Sequence, residues 1–202
     1  MTIIVTGGAG FIGSNFVFHM LNKYPDYRIV CLDCLTYAGN LSTLEPVMDN
    51  PNFRFVKESI TDREAVYKLF EEEKPDMVVN FAAESHVDRS IENPEVFLDT
   101  NIKVQQFLWM PAENMVSNVT IRYLQMRFTE IFHWTDQTCS YRETQSTQAA
   151  HTVHTKAGAD LLVLAYHRTY GLPVTISRCS KQLRAISLPR EADPAYDCKC
   201  TE

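Results

Sequence analysis

Three glycines spaced three residues apart are the first chemically informative feature of this 202-residue chain. Gly7, Gly10 and Gly13 form a G-x-x-G-x-x-G turn close to the N-terminus. Glycine lets a backbone turn tightly and approach a ligand, and the free N–H groups of a following helix face negative charge. The spacing therefore predicts a cradle for the pyrophosphate group of a dinucleotide.

An acidic residue stands where such a cradle needs one. Asp33 closes the apolar run Arg28–Leu32, about 20 residues beyond the glycines, where a carboxylate accepts hydrogen bonds from the adenosine ribose hydroxyls. A carboxylate there also repels a 2′-phosphate, which favours NAD over NADP. The alternative is an ordinary loop acid next to glycines that only form a turn.

The elements that must position these residues follow from hydrophobic periodicity. The order strand, glycine turn, helix, strand is typical of a Rossmann unit, and we predict an α/β fold with a doubly wound parallel sheet. The predicted strands are Ile3–Val5, Arg28–Leu32, Asn52–Lys57 and Met77–Phe81, and the predicted helices begin near Phe11, Asp62 and Pro94. Ala82 and Ala83 are small enough for a cofactor to lie against the backbone. The polar segment Glu84–Ser90 follows at the carboxyl end of its strand, where ligands bind in such sheets.

Composition limits the possible functions. A net charge of −6 argues against a nucleic-acid partner, and no apolar run is long enough to span a membrane. Because the N-terminus enters a strand at once, we expect no signal peptide and a cytoplasmic location. Cys31-x-x-Cys34 and His151-x-x-His154 have ligand spacing, but no further ligands are evident, so we predict no metal.

Three stretches of the sequence carry a family resemblance. TGGAGFIGSNF, LDCLTYAGN and NFAAESHVDRSI, at these spacings, resemble the dTDP-glucose 4,6-dehydratases, which are extended short-chain dehydrogenases/reductases. The likeness runs over residues 1–103 and again over 156–180. It implies NAD as the cofactor, dTDP-glucose as the substrate, and a homodimer.

The resemblance also implies site residues. Ser85 and His86 would contact the nucleotide sugar, and Ser59 stands where the family usually has an adenine-contacting Asp. The implied cofactor contacts are Gly7, Gly10, Phe11, Ile12, Gly13, Asp33, Leu35, Thr36, Ala38, Gly39, Ser59, Ile60, Phe81, Ala82, Ala83, Ser85, Thr100 and Lys156.

The implied reaction needs residues that this chain lacks. Family members oxidise the sugar at C4 with the Tyr of a Tyr-x-x-x-Lys pair, and a Thr-Asp-Glu cluster eliminates water before the hydride returns to C6. Lys156 matches the Lys of the pair, but Thr152 replaces the Tyr, and threonine is too weak an acid to replace it. His151 or His154 is the only nearby candidate for a substitute base. The in-frame likeness to the cluster offers Glu130, with Phe128 and Thr129 in place of Thr and Asp.

Back-translation suggests why these residues are missing. Shifting the frame of Lys103–Met115 permits GTAVLMDACRKY, and shifting Asn118–Glu130 permits RYHQVSTDEVYG, both typical of the family. The same shift over Ala150–Thr152 permits Pro-Tyr, the start of the missing Tyr-x-x-x-Lys pair. From residue 181 the opposite shift permits NNYGP. We therefore hypothesise a dehydratase gene read out of frame over about 104–155, in frame to about 180, then out of frame to a premature stop. The alternative is a genuinely diverged relative.

This hypothesis divides the chain. Residues 1–180 would form an NAD-binding domain in which 104–155 have diverged, and 181–202 would be a tail that replaces the substrate domain. We expect the sheet to be incomplete after residue 103, because 104–155 carry no selected pattern and Pro111 interrupts a helix. A helix from about Lys156 to Tyr170 and a strand Val174–Ser177 would follow.

Three functions are compatible with these features. The first is a dTDP-glucose 4,6-dehydratase by descent that is catalytically defective. The second is a module that holds NAD without turnover. The third is a non-functional translation product that does not fold.

Overall fold

The computed structural model describes residues 1–104, 106, 108, 122–128 and 150–179. Its strands are β1 (Thr2–Thr6), β2 (Arg28–Leu32), β3 (Phe53–Val56), β4 (Met77–Asn80), β5 (Arg122–Phe128) and β6 (Val174–Cys179). Its helices are α1 (Phe11–Lys23), α2 (Arg63–Glu73), α3 (Val87–Glu92), α4 (Pro94–Leu98) and α5 (Ala150–Tyr170). A 3₁₀ helix covers Leu41–Val47 and a π turn covers Asp99–Lys103.

All six strands form one parallel sheet in the order β3-β2-β1-β4-β5-β6. Ile4 on β1 pairs with Val30 on β2 and with Val78 on β4. The direction of winding reverses between β1 and β4, and loops that diverge at such a switch point leave a crevice for ligands. The predicted Rossmann-type sheet is confirmed.

Burial on both faces explains why β1 lies at the centre. Ile3, Ile4 and Val5 are fully buried, as expected for a β-branched strand of a sheet covered on both sides. Ile4 points to the face where α2 packs, whereas Ile3 and Val5 point to the face covered by α1. Because β1 is packed on both faces, the glycine turn that follows it begins from a fixed position.

The first turn of α2 agrees with its predicted N-cap. Asp62 is extended, and its Oδ1 accepts a hydrogen bond of 3.1 Å from the Ala65 N–H. The helix ends at Lys74, whose backbone adopts the left-handed conformation with φ of 44°. Val66, Leu69 and Phe70 face the core, which anchors the loop between β3 and this helix.

The position beside β4, which we expected to lie empty, is occupied by a strand. Arg122–Phe128 forms β5, with Leu124 paired to Val79 on one side and to Thr175 on the other. A ladder uses the backbone groups that every residue here carries, so β4 and β6 both pair with this segment.

The second half of the chain adds a long helix. Helix α5 begins at Ala150, earlier than the predicted start near Lys156. Thr152, Thr155, Ala159 and Val163 are all buried, at spacings of three and four residues that form one inward stripe. In the described part of the chain, no helix is long and apolar enough to cross a membrane. Predictions about Pro111, Thr129, Glu130 and residues 181–202 lie outside the described residues.

Candidate functional site

The glycine turn lies directly over the carboxyl end of β1. Gly7 has a φ of +66°, and a Cβ atom on it would lie 2.6 Å from the backbone nitrogen of Ala82. A Cβ atom on Gly13 would collide with the carbonyl oxygen of Gly7, so helix α1 needs glycine there to pack against the turn. Gly10 donates its N–H to the Gly7 carbonyl at 3.2 Å. Phe11 is exposed and Ile12 is half-buried at the start of α1.

Asp33 joins the glycine turn to the loop that follows β2. Its Oδ2 accepts the Ala9 N–H at 2.9 Å, and its Oδ1 accepts the Leu35 N–H at 2.8 Å. A carboxylate has about four lone-pair positions, so further positions remain after these two bonds. Only 8% of Asp33 is exposed, so the carboxylate lies beneath the glycine turn and the loop after β2. It therefore holds the site together in addition to its predicted role.

The loop after β2 folds back over the glycine turn. Leu35 adopts a positive φ of 56°, and the N–H of Asn40 donates to the Ala9 carbonyl at 3.1 Å. A Cβ atom on Gly39 would lie 2.9 Å from Asp33 Oδ1, so glycine is needed beside the carboxylate. Thr36 and Ala38 are exposed on the outer part of this loop.

The loop after β2 forms one wall of the crevice at the switch point, and the loop after β4 forms the other. Thr6 Oγ1 donates to Asn80 Oδ1, which ties the ends of β1 and β4 together at the switch point. Phe81 packs on Phe16 with ring centroids 5.2 Å apart, so the chain leaves the sheet in a fixed direction. Beyond the half-buried Ala82, residues Ala83, Ser85 and His86 are exposed.

Asn101 is a site residue that the sequence analysis missed. Its Oδ1 accepts the Glu84 N–H at 2.9 Å, and its Nδ2 donates to the Glu84 carbonyl at 3.0 Å. The same Nδ2 donates to Thr155 Oγ1 at 3.1 Å, and Thr155 donates to the Thr152 carbonyl. Asn101 is 3% exposed. The buried amide joins the loop after β4 to helix α5, and no signal in the sequence around it marks this role.

Three further residues singled out in the sequence lie on helix α5 and on the π turn. Lys156 is half-buried on α5, next in sequence to the Thr155 that contacts Asn101. Thr152 is 4% exposed, so its hydroxyl lies within the packed face of α5. Thr100 is half-buried on the π turn beside Asn101.

Ser59 and Ile60 lie in the loop after β3. Ser59 Oγ lies 2.7 Å from Thr61 Oγ1 and accepts the Thr61 N–H at 3.1 Å, so it stabilises the turn before α2. Ile60 is 5% exposed and belongs to the core, which leaves only its backbone to face a ligand. Just before this loop, the Val56 carbonyl accepts the Asp33 N–H at 3.1 Å, which joins the end of β3 to the start of the loop after β2.

Two free cysteines flank the carboxylate. Burial raises the pKa of the Cys31 thiol, and the neighbouring Asp33 charge raises it further. Burial and the same carboxylate also raise the pKa of Cys34, which is more exposed. Both residues are therefore thiols near neutral pH, poorly suited to redox or metal chemistry. Within the described ranges, no three His, Cys, Asp or Glu residues group as metal ligands would.

The comparisons with known proteins agree with this geometry. The model of the GDP-mannose 4,6 dehydratase family matches residues 4–187. The chain belongs to this family. The resemblance to dTDP-glucose 4,6-dehydratases is confirmed at the same time, because the similar proteins include enzymes of that name.

Two curated relatives and one solved structure illustrate the similarity. The dTDP-glucose 4,6-dehydratase of Xanthomonas campestris pv. campestris (strain B100) is 40% identical, covering 96% of this chain and 56% of the relative. That of Mycobacterium tuberculosis (strain CDC 1551) is 43% identical, covering 89% and 53%. A double mutant of DesIV, the Streptomyces venezuelae dTDP-glucose 4,6-dehydratase with NAD and a second ligand bound, is 41% identical, with a TM-score of 0.73 and coverage of 89% and 55%. This family member spans little more than half the length of these relatives.

Proposed function

We propose that the chain is a dTDP-glucose 4,6-dehydratase by descent, that it holds NAD, and that it is catalytically defective. The observation that carries the proposal is the cradle made by Gly7, Gly13 and Asp33 at the switch point between β1 and β4. The DesIV structure, which is 41% identical, has NAD bound. The finer claims about cofactor, substrate and activity are our inference for this chain.

The cradle fits a dinucleotide on physical grounds. Glycine at position 13 lets the start of α1 pack directly against the Gly7 carbonyl, so the turn and the first N–H groups of the helix lie close together. The start of α1 has no side-chain cap, so its N–H groups are available for an anion. Asp33 keeps lone-pair positions for ribose hydroxyls while it holds both loops. Bound NAD would supply the hydride acceptor, and these residues would bind and orient it.

The nucleotide-sugar half of the site would be formed by Ser85 and His86. Both side chains are exposed at the carboxyl end of β4, close in sequence to Ala82 and Ala83, which are small enough for a cofactor to lie against the backbone. Lys156 would contact the nicotinamide ribose from α5. Thr152 cannot act as the base that takes the C4 hydroxyl proton, because an alcohol gives up its own proton far above neutral pH. We therefore expect the chain to bind NAD without converting the nucleotide sugar.

Calorimetric titration of the full chain with NAD tests the binding half of the proposal. We expect saturable binding, weaker binding of NADP because Asp33 repels a 2′-phosphate, and loss of binding in Asp33→Ala. Incubation with dTDP-glucose should give no 4-keto-6-deoxy product. Failure to bind NAD together with a non-cooperative thermal transition would favour the non-functional product. Turnover that survives Lys156→Ala would contradict the family mechanism for this chain.

We also propose that the chain forms a homodimer through α4 and α5. Leu161 is 68% exposed, Leu98 48% and Val96 42%, and these apolar side chains lie on two helices that pack against each other. Light scattering should give twice the monomer mass, and Leu161→Glu should give a monomer. A monomeric wild type would contradict the proposal.

The free thiols of Cys31 and Cys34 suit the reducing cytoplasm, which we propose as the location.

A further inference from the structure

Tyr37 lies on the loop after β2, but its side chain contacts the segment that follows β4. Its hydroxyl donates to Glu84 Oε2 at 3.2 Å. The guanidinium carbon of Arg89 lies 4.2 Å from the centre of its ring. The ring also meets His86 edge-on, with centroids 6.3 Å apart. Each of these three contacts crosses from one wall of the crevice to the other.

The segment reached by Tyr37 is fixed from the opposite side by Asn101. The amide of Asn101 holds both the N–H and the carbonyl of Glu84, while Tyr37 holds the Glu84 carboxylate. Glu84 therefore lies between the loop that carries Asp33 and the helix α5 that carries Lys156. Ser85 and His86 follow Glu84 directly in the sequence, so the contacts that fix Glu84 also restrict where these two residues lie.

We propose that Tyr37 is a positioning residue that locks residues 84–89 against the loop after β2, so that both walls of the crevice act as one unit. This proposal rests on the proposed function, which assigns the dinucleotide to the glycine turn and Asp33, and the nucleotide sugar to Ser85 and His86 after β4. The aromatic ring carries most of the effect, because it contacts both Arg89 and His86, whereas the hydroxyl contributes one exposed hydrogen bond. An exposed cation–π contact corresponds to about two- to fivefold in an equilibrium constant.

Three variants of the full chain test the proposal. Tyr37→Ala removes the ring and the hydroxyl, and Tyr37→Phe removes the hydroxyl alone. Tyr170→Ala is the matched control, because Tyr170 is 50% exposed against 51% for Tyr37 and its ring packs on Tyr166 in α5. Two quantities are measured: the NAD dissociation constant, and the amide hydrogen exchange of residues 84–90 without ligand.

We expect Tyr37→Ala to speed exchange over residues 84–90 and to weaken NAD binding by about fivefold at an unchanged melting temperature. Tyr37→Phe should restore most of the protection and affinity, and Tyr170→Ala should change neither. Equal exchange in Tyr37→Ala and Tyr170→Ala would overturn the proposal. If the wild type did not bind NAD, the proposed function would fail, and the exchange rates would still decide the role of Tyr37.

Discussion

Gly7 meets two separate requirements of the site, and each excludes other residue types. Its φ of +66° costs an L-residue about 1 kcal/mol, and its missing Cβ leaves room for the backbone of Ala82. Gly171 at the end of α5 has a similar φ of +70°, but nothing lies within 4 Å of its Cβ position. Comparing Gly7 with Gly171 therefore separates the free-energy cost of a positive φ from the cost of a collision between a Cβ atom and the backbone.

Gly7→Ala is therefore expected to lower the free energy of unfolding by more than about 3 kcal/mol, and Gly171→Ala by about 1 kcal/mol. The difference arises because the Ala82 backbone cannot move aside without disturbing β4. Chemical denaturation of both variants measures the two values. Equal losses would show that the turn can shift, and that the close approach to Ala82 is not a constraint.

Glu73 shows how a single carboxylate makes stability depend on pH. It accepts hydrogen bonds from Arg28 at 2.6 Å and from Arg54 at 2.6 Å, and its side chain is 6% exposed. The hydrogen bond from Arg28 lowers the pKa of Glu73, and the bond from Arg54 lowers it further. A carboxyl group with a lowered folded-state pKa stabilises the protein above its unfolded value of 4.5, and this contribution is lost as pH falls through the folded value.

Glu73→Gln should lower the free energy of unfolding at pH 7 by about 1 to 2 kcal/mol, because the arginines keep only a neutral acceptor. The same variant should lose less stability than the wild type when the pH falls from 6 to 3. Urea denaturation across that range measures both effects. Glu71→Gln is the control, since Glu71 is exposed on the same helix. Parallel pH curves for Glu73→Gln and the wild type would contradict this assignment.

Among the elements, helix α5 is joined to the π turn through a buried polar contact. Asn101 on the π turn donates to Thr155 Oγ1, and both side chains are nearly inaccessible. A Cβ atom on Gly158 would lie 3.1 Å from Ile102, so the helix also approaches the π turn closely. This packing sets where Lys156 lies relative to the loop after β4.

Thr155→Val is expected to destabilise the fold by about 1 to 3 kcal/mol, since it keeps the shape of the side chain but leaves the Asn101 donor with one acceptor fewer. Thr155→Ser keeps the hydroxyl and should lose clearly less. Thermal unfolding of both variants measures the ranking. If valine were tolerated as well as serine, the hydrogen bond would not be what joins the helix to the turn.

For the whole molecule, the reading frame decides whether a complete catalytic set was ever encoded. The in-frame chain lacks the Tyr before Lys156 and the Thr-Asp-Glu cluster, whereas back-translation recovers both. Sequencing the gene across codons 100–185 is expected to show bases that encode RYHQVSTDEVYG and the missing Tyr in a shifted frame. DNA that encodes neither segment in any frame would instead establish a genuinely diverged relative.

The sequence alone determined the features that depend on local pattern. The glycine spacing, the β-branched runs and Asp33 predicted a doubly wound parallel sheet with a dinucleotide turn after its first strand, because backbone freedom and apolar periodicity are properties of neighbouring residues. The cap at Asp62 and the strand at Met77–Asn80 followed from the same kind of signal.

Only the tertiary structure decided the contacts between distant segments. The role of Asn101 depends on Glu84 and Thr155, which lie 17 and 54 residues away, so no local pattern marks it. Tyr37 reads as an ordinary loop tyrosine until Glu84 and Arg89 are brought beside it. The place of the strand Arg122–Phe128 between β4 and β6 depends on pairing with both neighbours, which are distant in the sequence.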